Sequence, residues 1–312
     1  MKESTETMPL IRYQSFRFSD ATRAVIAQAN LILNEYAARG LVVTLRQLYY
    51  QFVSRDLIPN KQSEYKKLGS IINDARLAGL IDWDHLQDRT RNLQSNSHWD
   101  NPGSIIYSAA RSYHRNLWEG QEAYVECWVE KDALIGILEN ICTRWDVPYF
   151  SCRGYTSQSE MWGAAQRLLG QLRCHPRVHI IHLGDHDPSG KDMSRDILDR
   201  LVLFLESKAS NLTVNRIALN MDQVEEYNPP PNPAKLNDTR ATAYIEEFGD
   251  ESWELDALPP DVMATLIEDE IKANLDQEVF DEKTQQQEDE RKVLTNISQR
   301  YDEVVDYLGE GE

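Results

Sequence analysis

No stretch of the 312 residues approaches the roughly 18 consecutive apolar residues that a bilayer-crossing helix needs. The first ten residues, Met1 to Leu10, are polar and lack the apolar core of a signal peptide, so a cytoplasmic protein is expected, nucleoid-associated in a bacterium or archaeon. Cysteine is scarce. Cys127, Cys142, Cys152 and Cys174 stand at long, irregular spacings with no CxxC pair, which excludes a disulfide framework and reads as reduced, mostly buried thiols. A phosphate-cradling GxxxxGK[ST] loop is also missing, so any ATP-driven step needs a separate ATPase subunit. Basic residues are outnumbered, 33 Lys+Arg against 51 Asp+Glu, for a net charge of −18. What is present is ordinary for a folded chain: 41% hydrophobic and 27% charged residues, with length for about two domains.

The acidity is unevenly spread. Residues 1–210 carry 25 Lys+Arg against 25 Asp+Glu, whereas residues 211–312 carry 8 against 26. The first two-thirds can therefore present basic surface, a distinction that the whole-chain pI of about 4.8 hides.

Three patterns succeed one another. Val25, Ile26, Ala29, Ile32, Leu33 and Tyr36 recur at helical spacing between a Ser19 cap and a Gly40 stop. Leu41 to Val43 reads as extended. Thr44 and Gln47 form a capping box for a second helix, and a third runs from about Ser63 to Ala78, ending at Gly79. Leu80-Ile81 reads as a strand and Asp82 to Asn96 as a wing-like hairpin, the order of a winged-helix module. From Glu122 onward, apolar strands (Tyr124–Val129, Pro148–Cys152, Val178–Leu183, Thr213–Leu219) alternate with helices (Ala133–Arg144, Ser157–Leu172, Lys191–Glu206), which predicts a mainly parallel α/β sheet. Tyr227 to Pro233 reads as a loop, followed by an acidic helical region.

Acids collect where such a sheet places its sites. Glu130 ends the first strand, and Asp185 and Asp187 follow a later one in the run Leu183-Gly184-Asp185-His186-Asp187-Pro188-Ser189-Gly190. An i, i+2 pair at a strand end points both carboxylates the same way, and three carboxylates in one crevice call for a hard cation such as Mg²⁺.

The Glu130-Lys131 strand end and the Asp185-x-Asp187-Pro188-x-Gly190 turn resemble the two signature motifs of a Toprim domain. Their form is similar to that of the A subunit of DNA topoisomerase VI and the related meiotic double-strand-break proteins. The run Trp253-Glu254-Leu255-Asp256-Ala257-Leu258 also resembles a stretch near the end of that family's Toprim domain, and the likeness covers about residues 40–275. It implies a winged-helix domain (1–100), a Toprim domain with a Rossmann-like parallel sheet (101–275) and an acidic helical tail (276–312). It further implies Mg²⁺, or Mn²⁺, bound by Glu130, Asp185 and Asp187, and DNA cleavage by a tyrosine on the winged helix.

Helical geometry narrows the choice of tyrosine. Leu45, Leu48, Tyr49, Phe52 and Val53 form one apolar stripe, which assigns Tyr49 to the core. Tyr50 lies off the stripe beside Arg46, one turn earlier. The family pattern Arg-x-x-(aromatic)-Tyr likewise selects Tyr50 as nucleophile and Arg46 as its companion. A phenol with an ordinary pKa of about 10 needs activation, and Arg46 can stabilise both phenolate and phosphorane oxygens. The product would be a 5′-phosphotyrosyl bond. Lys66, Lys67, Ser70, Asn73 and Arg76 of the third helix, with Arg89 and Arg91 of the wing, are candidate DNA contacts.

Other residues have plainer readings. Asp192 reads as the capping-box partner of Ser189, and His175, His179, His182 and His186 as strand and turn residues rather than zinc ligands. Leu294, Ile297, Tyr301, Val304 and Leu308 make a narrow seam for docking on another helix. Two strands of a duplex and one candidate tyrosine per chain, with the resembled family's use of a dimer, imply a C₂ homodimer on double-stranded DNA. Two rival functions share these residues: a Toprim nuclease that uses water, and a DNA-binding module without catalysis.

Overall fold

Ser19 accepts the Thr22 N–H and opens the first helix, α1 (Asp20–Ala37), of the computed structural model, which describes residues 10, 12–86, 98–234 and 240–309. Gly40 follows at a φ of 73°, a left-handed turn that a β-carbon would strain. The Thr44–Gln47 capping box forms as expected at the start of α2 (Leu45–Ser54), and α3 (Gln62–Leu77) completes a helical unit. Ile32 and Leu33 of α1, Leu48 and Phe52 of α2 and Ile72 of α3 meet in one buried core.

Leu80-Ile81 is a bend, not the expected strand. Asn30 of α1 donates to the Leu80 carbonyl at 2.8 Å, and Ile81 is fully buried in the helical core, so neither residue is available to a ladder. One parallel bridge, Val43 to Leu86, closes this region. The rest of the expected hairpin, from residue 87 on and including Arg89 and Arg91, lies outside the described residues.

After α4 (Pro102–Ser112), strand and helix alternate: β1 (Ala123–Val129), α5 (Ile135–Arg144), β2 (Tyr149–Ser151), α6 (Gln158–Gln171), β3 (Arg177–Leu183), α7 (Pro188–Leu205) and β4 (Leu212–Ala218). The strands are all parallel, in the order β2-β1-β3-β4. The two-residue period of a strand divides the core. Val125, Cys127 and Val129 of β1 face the layer that contains α5, while Tyr124 and Trp128 face α6 and α7. The four cysteines are free, and all but Cys174 are buried.

The C-terminal third wraps around this sheet. Beyond α8 (Met221–Tyr227), the expected loop contains half of a two-residue antiparallel ladder, Asn232–Pro233 against Glu251–Ser252, with α9 (Ala241–Phe248) between the two. Met263, Ile267 and Ile271 of α10 (Pro260–Ala273) are buried against the sheet face that holds Val125. Helix α11 (Gln277–Gln299) packs on α4, with Glu290 accepting from Tyr113 Oη and Arg115 Nη1. The expected seam is interrupted at Arg300, before α12 (Tyr301–Gly309); Tyr301 lies against Gly103, whereas Ile297 and Leu308 are exposed. Among the described residues no helix is long and apolar enough to cross a membrane.

Gly190 has a steric duty in the turn from β3 to α7. A β-carbon there would lie 2.2 Å from the Asp185 carbonyl oxygen and 3.0 Å from Glu130 Oε2. Gly190→Ala should therefore lower the unfolding free energy by about 3 kcal/mol, the upper end of overpacking costs. Gly170→Ala, whose β-carbon meets nothing within 4 Å, should be neutral or slightly stabilising. Urea denaturation of the two variants checks this, and equal stabilities would contradict it.

Candidate active site

The sheet order reverses direction between β1 and β3, and the carboxyl ends of strands at such a switch point are where open parallel sheets form their sites. Glu130 leaves β1 with its N–H bonded to the Leu183 carbonyl of β3 at 2.9 Å. In return its Oε2 accepts the Asp185 N–H at 2.9 Å. Arg216 of β4, half-buried, sews the adjoining loops together by donating to the carbonyls of Gly184, Asp185 and Gly190. Burial lowers its pKa to about 10, and Glu130, Asp185 and Asp187 offset part of that loss.

The strand ends at Leu183, so the alternation expected to align Asp185 with Asp187 does not reach them. Asp185 Oδ1 accepts the Leu255 N–H and the Lys131 ammonium, each at 2.8 Å. Asp187 instead caps α7, its Oδ1 accepting the Gly190 N–H at 2.7 Å. The predicted Ser189–Asp192 capping box is thus replaced, because α7 starts two residues earlier. Asp192 accepts from Tyr155 Oη and from Arg195 and Arg240.

A later segment reaches the same strand ends. His186 pairs with Trp253 through two backbone hydrogen bonds, of 2.8 and 2.9 Å, and this places Glu254 and Asp256 beside Lys131. Lys131 Nζ lies 3.1 Å from Glu254 Oε2 and 3.3 Å from Asp256 Oδ2. Arg46 of α2 meets the same two acids from the other side: Nη2 donates to Glu254, and Nε stands 2.8 Å from Asp256 Oδ2 as an ion pair without hydrogen-bond alignment. Burial opposes the charge on Arg46 and on Lys131, but the acids outweigh it and both pKa values rise. Glu254 is half-buried, which disfavours its charge, yet Lys131 and Arg46 hold its carboxyl below the usual range.

Tyr49 and Tyr50 differ in what they touch. Tyr49 is buried as expected, and its hydroxyl donates to Asn60 and the Lys61 carbonyl. Tyr50 does lie beside Arg46, 5.8 Å from the guanidinium to the ring centroid, but it is only 4% exposed. Residues from the distant segments at Asn232 and Glu254 cover it, joining Arg46 and Tyr50 around a cavity of about 280 Å³. Burial and then Glu254 raise the phenol to about 12, against the lowering by Arg46, the Asn232 amide and Lys131.

The candidate DNA contacts divide in the same way. Lys66, Lys67, Ser70 and Asn73 are exposed on α3. Arg76 is half-buried and has partners within the chain: its Nη2 donates to the Trp83 and Leu86 carbonyls, and the guanidinium stacks on Trp83 at 4.2 Å. The four histidines each have a different partner, namely the Gln121 carbonyl, Glu270, Ser194 and Tyr244 for His175, His179, His182 and His186.

Glu130, Asp185 and Asp187 supply hard oxygen donors, which suits Mg²⁺ or Mn²⁺ in kind. They also stand close enough to act on one another: burial, then Asp185, and to a lesser degree Asp187, push Glu130 up to about 7. Their oxygens serve the protein's own N–H groups and Lys131, and among the described residues no three His, Cys, Asp or Glu side chains are grouped to hold a metal ion. Lys131, Asp256 and Arg216 escaped the sequence reading of the site. Lys131 had a signal in its position next to Glu130, whereas Arg216 had none. No family model and no curated protein matches the chain.

A raised carboxyl pKa penalises the charged form in the folded state. For Glu130 that penalty is complete above pH 7 and disappears below about 4.5, where both states are protonated. One pKa unit is worth about 1.4 kcal/mol, so Glu130→Gln should gain about 1–3 kcal/mol at pH 8 and nothing near pH 4.5. Urea titrations in EDTA at the two pH values check this; a variant less stable than wild type at pH 8 would contradict it.

Proposed function

We propose that the chain is a metal-dependent DNA-breaking enzyme, with a winged-helix unit at α1–α3 and a Toprim unit at the parallel sheet, similar to the A subunit of topoisomerase VI. One observation carries this reading: Asp185, the strand-end acid that follows β3, and the Arg46–Tyr50 cleft share a single ionic network through Lys131, Glu254 and Asp256. Glu130, Asp185 and Asp187 would hold Mg²⁺ or Mn²⁺, which would neutralise the phosphodiester and stabilise the leaving oxygen. The Tyr50 oxygen then attacks phosphorus, the P–O3′ bond breaks, the phenolic proton is lost, and the 3′-oxygen leaves to become a 3′-OH. Arg46 is placed to stabilise the phenolate and the phosphorane oxygens. A C₂ homodimer on duplex DNA supplies one such tyrosine per strand, and strand passage would add a separate ATPase subunit.

A second reading has its own support. Tyr50 is buried and its phenol is raised to about 12, which favours a nuclease in which the same acids serve a water nucleophile.

The two are separated with supercoiled DNA, Mg²⁺ or Mn²⁺, and detergent denaturation. Asp187→Asn keeps the helix cap, since asparagine caps as well as aspartate, and removes the charge. It should slow cleavage by about 100-fold or more, in the range for lost transition-state electrostatics. Tyr50→Phe should abolish both cleavage and protein-linked DNA ends, whereas Tyr49→Phe should retain most activity. Full cleavage by Tyr50→Phe would establish the water mechanism, and undiminished cleavage by Asp187→Asn would remove the strand-end acids from the reaction.

A further inference from the structure

The cavity beside Tyr50 has a cation that no ion pair claims. Arg46, the basic residue selected by helical geometry, has its charge spread over Glu254 and Asp256. Lys61 lines the same cavity, is exposed, and among the described residues makes no ion pair. It occupies the N-cap position of α3, where an ammonium, having no acceptor, cannot serve as a cap. Its position is nonetheless fixed: its carbonyl accepts the Tyr49 hydroxyl at 3.3 Å and the N–H groups of Glu64 and Tyr65.

The rest of the lining suits an anion with several oxygens. Tyr65, Asn60 and Gln62 bring neutral polar groups to the wall, and the cavity's one acid, Glu254, is already matched by Arg46 and Lys131. The local excess charge is therefore that of Lys61. A cavity of about 280 Å³ is larger than a phosphate group, so it has room for one phosphodiester of a strand.

We infer that Lys61 holds a backbone phosphate of the DNA in this cavity, next to the Tyr50 ring, and that this contact, rather than Arg46 alone, draws the strand to the tyrosine. The inference rests on the DNA-breaking reading above. It extends that reading by assigning the phosphate subsite to a residue outside the exposed face formed by Lys66, Lys67, Ser70 and Asn73. Because Lys61 precedes α3, the subsite and that face together track one strand along the helix.

The test uses the full chain and a short fluorescein-labelled DNA duplex in EDTA, with binding followed by anisotropy across a salt series. Each phosphate contact contributes a slope of about 0.9 to the fall of log K with log salt, so Lys61→Glu should lose about one such step and bind about 10-fold or more weakly at low salt. Lys61→Arg should restore both. The charge-matched control is Lys208→Glu, at the amino end of β4 and hence at the opposite edge of the sheet, and it should leave the slope unchanged. Thermal unfolding of all three variants should match wild type, since both lysines are exposed. If wild type binds the duplex and Lys61→Glu keeps its slope, or Lys208→Glu weakens binding as much, the subsite is wrong while the DNA-breaking reading stands. If wild type does not bind duplex DNA at all, both fall together.

Discussion

One half-buried ammonium organises the centre of this protein. Lys131 leaves β1 directly after Glu130 and meets Asp185, Glu254 and Asp256 within 3.3 Å. Three carboxylates at that separation, mostly out of water, would repel one another by several kcal/mol without a cation between them. Lys131 supplies that charge from inside the chain. Its three partners come from the turn after β3 and from the segment after the Glu251–Ser252 ladder, so a single side chain ties the sheet to the strip that follows it. Arg46 then binds the outer side of Glu254 and Asp256, and the helical unit joins the same array.

The consequence for chemistry is that the candidate groups hold one another in check. Glu130 is pushed towards its neutral form and Tyr50 further into its own, while Arg46 is committed to two acids. A phosphodiester entering the cavity brings a negative charge to compete with Glu254 for Arg46, and a divalent cation brings a positive charge to compete with Lys131 for Asp185. Each would release the other's partner, so the network couples the two halves of the site in a way that isolated acids and a lone tyrosine would not.

How much of this could be read from the sequence depended on distance along the chain. The Ser19 cap, the Thr44–Gln47 box, the parallel strands and the strand-end position of Glu130 are local signals, and each appears where expected. The position of Tyr50 beside Arg46 is also local, being set by the helical period. Its burial is not, because the covering residues lie about two hundred positions away and leave no trace in the α2 pattern. The partners of Arg76 were hidden for a related reason: its Nη2 bonds carbonyls of the turn after α3, which a helical wheel does not include. The Asp185–Asp187 alignment failed because a two-residue period applies only as far as the strand continues. Glu254 and Asp256 drew notice as a motif, but their partners emerged only when the His186–Trp253 bridge brought them to Lys131.

The claim that helix α2 is electrostatically tied to the acids around Lys131 is tested most directly by a double-mutant cycle between Arg46 and Asp256. Unfolding free energies would be measured for Arg46→Met, Asp256→Asn and the double variant under identical buffer conditions. Asp256 is 1% exposed, and each single change takes one of two partners from a charge, leaving Lys131 for Asp256 or Glu254 for Arg46, so the account predicts that the double variant loses at least about 1 kcal/mol less than the sum of the two singles. Additivity to within about 0.5 kcal/mol, the usual behaviour of independent sites, would contradict it.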